Sequence, residues 1–214
     1  MRAVILSGGY IRDYEAVKKH IKQGDLIICA DSGVHHAFKM GVIPHLVVGD
    51  MDSISEEDKK KVRDSMVRQL TFPREKDFTD TELALDIALK EGVKEAVLLA
   101  GLGDRPDHSL SNVFLMVSYK KKGMTLIMAG ENWEMFLVDG RRKIRGKKGH
   151  ILSLIPITPK VSGIKTSGLY YPLNDDTLFM GTSRGISNVF LEDEAVVEIK
   201  EGMLLAVKWT EESE

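Results

Sequence analysis

The 214-residue chain has a single cysteine, Cys29, set inside the apolar run Leu26-Ile27-Ile28-Cys29-Ala30. One cysteine excludes an intrachain disulfide framework and suits a reducing compartment. In such a run it reads as a small core residue rather than a nucleophile or metal ligand. Long apolar runs are missing as well. No stretch approaches the roughly 20 residues that cross a bilayer, and Ala3-Val4-Ile5-Leu6 is too short for a signal peptide and reads as a first strand. The expectation is a soluble, cytoplasmic protein with no membrane partner. Charge of one sign is also scarce. With 30 Lys and Arg against 32 Asp and Glu, the formal net charge is -2, so the basic excess of a nucleic-acid binder is absent and no nucleic-acid partner is expected.

Several site signatures are missing too. There is no Walker A loop. Gly101-Leu102-Gly103 begins like a dinucleotide fingerprint, but Pro106 occupies the place of its third glycine. His35-His36 has no partner at metal-ligand spacing and reads as part of a surface helix. The basic run from Arg141-Arg142-Lys143 to Lys147-Lys148 reads as a solvated hairpin face. No internal repeat and no low-complexity segment occurs.

What is present is an ordinary globular balance, 43% hydrophobic and 29% charged, which supports a real core in one large domain or two small ones. Up to about Gly130 short apolar runs alternate with helical patterns. The strand candidates are Ala3–Leu6, Leu26–Ala30, Leu46–Val48, Val67–Phe72, Ala96–Ala100 and Thr125–Met128. Thr81–Lys90 carries apolar residues at helical spacing. After Gly130 only short β-like runs remain, at Met135–Val138, Ile151–Pro156, Leu178–Met180 and Val189–Leu191, and the segment from Ala195 to Val207 reads as a closing hairpin around Glu201-Gly202. The predicted fold class is therefore α/β. An N-terminal, mostly parallel sheet with helices on both faces occupies residues 1–130, and a C-terminal all-β sandwich domain occupies 131–214.

The strands of the first domain run into small or acidic residues: Leu6 into Ser7-Gly8-Gly9, Cys29 toward Asp31-Ser32-Gly33, Val48 into Gly49-Asp50, Leu99 toward Gly101. Loops beyond the carboxyl ends of parallel strands form the ligand crevice of such sheets. Three acidic motifs sit there. In Gly49-Asp50-Met51-Asp52-Ser53, carboxylates two apart on an extended loop point to one side and can reach one hard cation; a turn before a helix near Ser55 explains them equally. In Asp77-Phe78-Thr79-Asp80-Thr81-Glu82, Thr79 and Glu82 have capping-box spacing and Asp80 suits the positive helix end, which leaves Asp77 unexplained. In Arg105-Pro106-Asp107-His108, Asp107 either caps the following helix or handles metal, and Arg105 can clamp phosphate oxygens. Acids from separate loops in one crevice repel one another, a cost that a bound cation would remove.

In order along nearly the whole chain, Asp31-Ser32-Gly33, Gly49 to Ser53, Asp77 to Leu85, Arg105 to Asn112 and Gly185-Ile186-Ser187-Asn188 resemble the motifs of thiamine pyrophosphokinases. The resemblance implies an α/β nucleotide-binding domain followed by a β-sandwich that binds thiamine, in a homodimer with shared active sites. It implies ATP and thiamine as substrates and Mg2+ as cofactor. Asp50, Asp52, Asp77, Asp80 and Asp107 become the catalytic acids, with Asp50, Asp52 and Asp80 on the metal. Asp31, Ser32, Gly33, Ser53, Thr79, Arg105 and His108 become the ATP contacts, and Ser187 and Asn188 the thiamine contacts. The chain departs from the pattern at Phe78, where a lysine is usual and Lys76 stands nearby, and at Asp104, where a glycine is usual. A tryptophan found soon after Ser-Asn in some members is missing. A related pterin pyrophosphokinase, a metal-dependent phosphoesterase and a non-catalytic nucleotide or thiamine sensor share parts of this pattern.

Overall fold

The computed structural model describes residues 1–212 of a chain that divides into two compact units, Met1–Glu131 and Asn132–Glu214. In the first unit the strands are β1 (Arg2–Leu6), β2 (Leu26–Ala30), β3 (Leu46–Gly49), β4 (Arg68–Thr71), β5 (Glu95–Leu99) and β6 (Thr125–Ala129). They pair side by side in the order β6-β5-β1-β2-β3-β4, all parallel. The three central strands β1, β2 and β5 are buried on both faces from their second residue onward, which is why they read as unbroken apolar runs rather than alternating ones.

Five helices connect them: α1 (Tyr14–Lys18), α2 (Gly33–Lys39), α3 (Glu56–Asp64), α4 (Asp80–Lys90) and α5 (Pro106–Lys121). Val4, Leu6, Ile27, Cys29 and Val47 form one cluster with Val17 of α1, Val34 and Ala37 of α2 and Val62 of α3. Side chains alternate across a strand, so Ala3, Ile5 and Ile28 face the other way, and α4 packs against β1, β2 and β3 from that side. Cys29 is fully buried, and burial pushes its thiol far above the ordinary range, so it is an inert core residue.

The strand order has a functional consequence. From β1 the chain winds one way to β2, β3 and β4, then returns through α4 to β5 and continues the other way to β6. Neighbouring strands β1 and β5 thus lead their loops to opposite sides, and the crevice that opens there is the binding position of doubly wound sheets.

The second unit holds eight strands in two antiparallel sheets. Strands β7 (Trp133–Val138), β9 (His150–Pro156), β12 (Asn188–Val189) and β14 (Leu204–Glu212) pair in the order β12-β9-β14-β7. Strands β8 (Arg141–Arg145), β10 (Lys160–Ser167), β11 (Asn174–Phe179) and β13 (Glu194–Glu198) pair in the order β11-β10-β13-β8. Leu152, Leu154, Leu204 and Ala206 of one sheet and Ile144, Val161, Ile164 and Val197 of the other are buried, which makes the unit a β-sandwich.

Two local expectations fail here. The segment 195–207 is not a hairpin: β13 pairs with β8 and β10, whereas β14 pairs with β7 and β9. Glu201-Gly202 instead carries the chain between sheets. Gly202 has φ 91°, and a Cβ there would lie 2.5 Å from the Lys160 carbonyl oxygen. The basic run is likewise no hairpin face, because β7 and β8 belong to different sheets. It forms the edge strand β8, where Lys143 and Arg141 pair with Glu194 and Glu198 of β13, charges that guard an edge against further pairing.

Candidate active site

A crevice of about 390 Å3 opens at the carboxyl ends of β1, β2 and β5. Its floor is two glycine loops pressed together. The Ser7 amide bonds Leu99 O (3.0 Å), Gly9 bonds Ala100 O (2.9 Å) and Tyr10 bonds Leu102 O (2.8 Å). A Cβ on Gly9 would collide with Leu102 O, and one on Gly103 would sit 3.1 Å from Gly9 Cα, so close backbone approach requires glycine at both. The second loop is tied down by α5: Asn112 Nδ2 donates to Gly101 O (2.8 Å), and the Gly103 amide donates to Ser109 Oγ (3.2 Å). His108, Ser109 and Asn112 share one face of α5 and all line the crevice. Ser109 and Asn112 carried no assigned role in the sequence reading. Their three- and four-residue spacing is the signal that could have marked them.

Acid side chains enter from β2 and α4. Asp31 follows β2 in a left-handed conformation (φ 46°), its amide bonded to Val48 O at 2.7 Å. A Cβ built on Gly49 would lie 3.1 Å from Asp31 Cβ and 3.2 Å from Asp80 Cγ, so the two acids converge at the end of β3. Asp31 Oδ1 is buried and has no hydrogen-bond partner. Burial raises the Asp31 carboxyl above the ordinary range, the negative charges of Asp80 and Asp50 add to this, and a hydrogen bond with Ser53 opposes it. Asp80 Oδ1 is also buried. Lys76 Nζ lies 3.1 Å from it as an ion pair, without hydrogen-bonding alignment, so Lys76 brings a cation to this motif despite Phe78.

The other predicted residues divide. Ser32, Ser53, Thr79, Arg105 and His108 line the crevice with Asp31 and Asp80. Thr79 Oγ1 also caps α4 by accepting from the Glu82 amide (3.2 Å). Gly33 does not line it. A Cβ there would collide with Leu6 O, so this glycine serves to start α2 against β1. Asp50 and Asp52 are not on an extended loop, which corrects the geometry expected from their spacing. Met51 between them is left-handed (φ 64°), and Asp50 Oδ1 accepts from the Asp52 amide (3.0 Å), forming a tight turn. Asp50 remains near enough to be felt at Asp31, whereas Asp52 and Asp77 are exposed and outside the crevice lining.

Arg105 and Asp107 face each other. The guanidinium grips the carboxylate through Nε–Oδ1 (3.0 Å) and Nη2–Oδ2 (2.6 Å), with both side chains mostly exposed. This pair lowers the Asp107 carboxyl to about 2. Asp107 therefore does not cap α5, whose N-cap is Arg105.

Among the described residues no three His, Cys, Asp or Glu side chains are gathered as a ready metal cage. A hard cation that arrives with polyphosphate oxygens and its own waters needs only one or two carboxylates. The orphaned Asp31 oxygen, beside Asp80 and near Asp50, fits that requirement.

In the second unit Ser187 is exposed and left-handed (φ 57°), its amide bonded to Ser153 Oγ at 3.0 Å. Asn188 is buried, at 6% exposure. Its Oδ1 accepts from the amides of Tyr171 and Val189 (2.9 Å each), and its Nδ2 donates to Tyr171 O (2.7 Å). The amide thus grips the Tyr171 backbone from both sides. Tyr170 and Tyr171 project beside it as an exposed, edge-to-face pair with centroids 4.8 Å apart.

Comparison with known proteins gives a consistent result. Residues 17–128 match the family model "Thiamin pyrophosphokinase, catalytic domain", and residues 141–204 match "Thiamin pyrophosphokinase, vitamin B1 binding domain". A curated relative, thiamine pyrophosphokinase of Bacillus subtilis, is 25% identical over 97% of this chain and 98% of its own. The fold is shared with the crystal structure of the Bacillus subtilis enzyme (TM-score 0.89, 22% identity, 99% of this chain and 100% of that one). It is also shared with thiamin pyrophosphokinase from Geobacillus thermodenitrificans (TM-score 0.86, 23% identity, 100% and 99%) and with that of yeast (TM-score 0.79, 18% identity, 97% and 86%).

Proposed function

The chain belongs to the thiamin pyrophosphokinase family, and from that membership we propose that it transfers the pyrophosphoryl group of ATP, with magnesium, to the hydroxyl of thiamine. The products are thiamine diphosphate and AMP. The observation that carries this reading for the chain itself is the buried, unpartnered Asp31 oxygen beside Asp80, in the crevice that opens at the topological switch point of the sheet. Such a group calls for a cationic ligand.

On this reading the triphosphate lies over the two glycine loops, with the hydroxyls of Ser32, Ser53 and Thr79 and the His108 ring along its path. One or two carboxylates of the Asp31, Asp50 and Asp80 group would hold magnesium, and Asp52 and Asp77, both exposed, would draw cations toward the mouth. Bound magnesium supplies the positive charge that offsets charge developing on the phosphate oxygens. Arg105 turns from Asp107 to the phosphate oxygens, a bidentate exchange of one anion for another. The thiamine hydroxyl oxygen forms a bond to the β-phosphorus as the bond to the α,β-bridging oxygen breaks and AMP departs. The hydroxyl proton passes to a carboxylate of the Asp31, Asp50 and Asp80 group. The chain's main contribution is to orient the reactants and exclude misalignment.

We assign thiamine to the second unit. Ser187 offers a hydroxyl, and the Tyr170–Tyr171 pair offers aromatic faces to a cationic, aromatic ligand. Asn188 acts through its grip on Tyr171 rather than by touching thiamine. On this reading a second copy of the chain completes each site, in a homodimer. The apolar side chains exposed on this unit, among them Phe179, Met180, Ile186 and Leu191, support a covered surface. No helix among the described residues is long and apolar enough to cross a membrane, and we place the activity in the cytoplasm, with its ATP.

The test is direct. With ATP, magnesium and thiamine, the protein should form thiamine diphosphate and AMP in equal amounts, with AMP appearing only when thiamine is present. Thiamine-independent release of AMP or phosphate, or a preference for a hydroxymethyl-dihydropterin in thiamine's place, would overturn the proposal.

A further inference from the structure

The two adjacent histidines of α2 lie outside the acid set and do different things. His35, half exposed, bonds the buried Asp58 carboxylate (Nδ1 to Oδ2, 2.9 Å), which also accepts from Ser55 Oγ at 2.8 Å. That contact ties α2 to α3. His36 reaches instead toward the first glycine loop, with Nε2 2.8 Å from Gly9 O and Nδ1 3.0 Å from the Tyr14 hydroxyl of α1.

The chemistry of these partners fixes the ring. A carbonyl oxygen can only accept, so the His36 proton is on Nε2. Nδ1 of a neutral imidazole is then an acceptor, and the Tyr14 hydroxyl donates to it. Burial lowers the His36 pKa, and His35 adds to this while the Gly9 bond opposes it, which favours the neutral ring. Tyr14 and His36 also pack their rings, with centroids 5.8 Å apart. Three elements therefore meet at one imidazole: α1, α2 and the loop after β1.

The loop needs such a hold. Gly8-Gly9 is intrinsically free to turn, and it lines both the crevice and a smaller cavity of about 270 Å3 that His36 lines as well. The Gly9 amide is held by Ala100 O, and the Gly9–Tyr10 peptide, one rigid plane, is held at its amide end by Leu102 O and at its carbonyl end by His36.

We infer that His36, oriented by Tyr14, is a positioning residue for the nucleotide: it completes the clamp that fixes the Gly9–Tyr10 peptide plane beside the phosphates that line up along the loop. The inference rests on the crevice being the ATP site. Without His36 only the Leu102 bond sets the tilt of this peptide, so the loop loses its fixed aim toward the phosphates, and a half-buried carbonyl loses its partner.

The experiment measures ATP affinity by calorimetry with magnesium and no thiamine, for the wild type and for His36→Leu, His36→Gln and Tyr14→Phe, followed by steady-state kinetics. His36→Leu should weaken ATP about tenfold, the scale of one stranded carbonyl. His36→Gln, whose amide can donate from the place of Nε2, should recover to within about threefold. Tyr14→Phe should fall between the two. The thiamine KM and kcat should stay within about twofold of wild type, a split that general loosening would not produce. Unchanged ATP affinity in folded His36→Leu overturns the inference, as does an equal rise of both Michaelis constants or a failure of Gln to rescue. If the wild type itself binds no ATP, the proposed function fails and takes this inference with it.

Discussion

The two units treat polar groups in opposite ways. At the crevice of the first, the glycine loops are tied together through the amides of Ser7, Gly9 and Tyr10 while an acid side chain is left short: Asp31 Oδ1 is buried with no partner beside them. In the sandwich the most deeply placed polar side chain of the candidate site, Asn188, has its oxygen doubly engaged and its nitrogen bonded, and aromatic rings are left exposed instead. An unmet buried carboxylate stores a demand for positive charge. Exposed tyrosines beside a rigid backbone offer area and π faces. On the proposed function, the phosphate end of the reaction would be recognised by charge that the apo protein leaves uncompensated, and the vitamin end by a surface that is already built.

The sharpest way to break that comparison is Asp31→Asn. Asparagine tolerates the left-handed backbone at φ 46°, so the change removes charge with little change of shape. Turnover should fall at least about a hundredfold, the scale of a lost electrostatic contact in the transition state. Stability should move the other way. The folded Asp31 carboxyl titrates above its unfolded value, so the native state holds the proton more tightly. Its contribution to stability is then most favourable at low pH and declines as pH rises from the unfolded value through the raised one. A neutral asparagine at this position carries no such penalty, and the ligand-free variant should melt higher than wild type at pH 7, with the gap closing toward pH 4. A lower melting temperature at pH 7 would mean that the carboxylate is not under strain.

Asn188→Ala probes the other side. It leaves the Tyr171 amide and carbonyl without partners, so the thiamine KM should rise roughly tenfold through the displaced tyrosines, with ATP affinity nearly unchanged. Tyr171→Ala should reproduce most of that loss, about 0.5–2 kcal/mol for a cation over an aromatic ring. Weakened ATP binding with normal thiamine kinetics would reverse the assignment of the two ends.

Shared sites give a signature on mixing. Inactive Asp80→Ala protein mixed with protein carrying both Asn188→Ala and Tyr171→Ala, then dissociated and reassociated, and assayed at thiamine well below the raised KM, should climb from less than about a tenth to about a quarter of wild-type activity. Half of the randomly paired dimers are mixed, and each mixed dimer has one intact site of two. Verified exchange without recovery would place both contributions in one chain.

Much of the first unit was readable because its strands are buried on both faces. Ile28-Cys29-Ala30 and Leu98-Leu99 can hardly be anything else, and the turn residues after them mark one sheet edge as chemical. Sequence does not reveal strand order, so the switch point between β1 and β5, which selects this crevice among the loops, came only from the pairing. Spacing suggested that Asp50 and Asp52 share a direction. Met51 in the left-handed region defeats that inference, because one dihedral sign rotates everything after it. In the sandwich, alternation identified β13 and β14 as strands, but the same pattern serves a hairpin and a crossing between sheets, and only the pairing of β13 with β8 and β10 and of β14 with β7 and β9 distinguishes them. Motif position also marked Asn188, while its burial depends on Tyr171 folding back 17 residues away.

The smallest expected effect tests whether charge alone, without burial, has any such consequence. Asp107 and Arg105 are as close as any ion pair in the crevice, yet both are mostly exposed. The carboxyl at about 2 stays ionised throughout the working range, so any stability it confers is fully present above its unfolded value and is lost only as pH falls toward 2. Water and salt screen the pair, and holding two mobile side chains together offsets most of the attraction. Asp107→Asn should therefore shift the melting temperature at pH 7 by less than about 2 °C in either direction, the range expected for a surface pair in a chain of this size. Arg105, released, becomes available to phosphate without first surrendering a partner, so ATP should bind no more weakly in the variant and its affinity should depend more steeply on salt. A drop of several degrees would place the pair among the supports of α5 rather than at a mouth where one anion is exchanged for another.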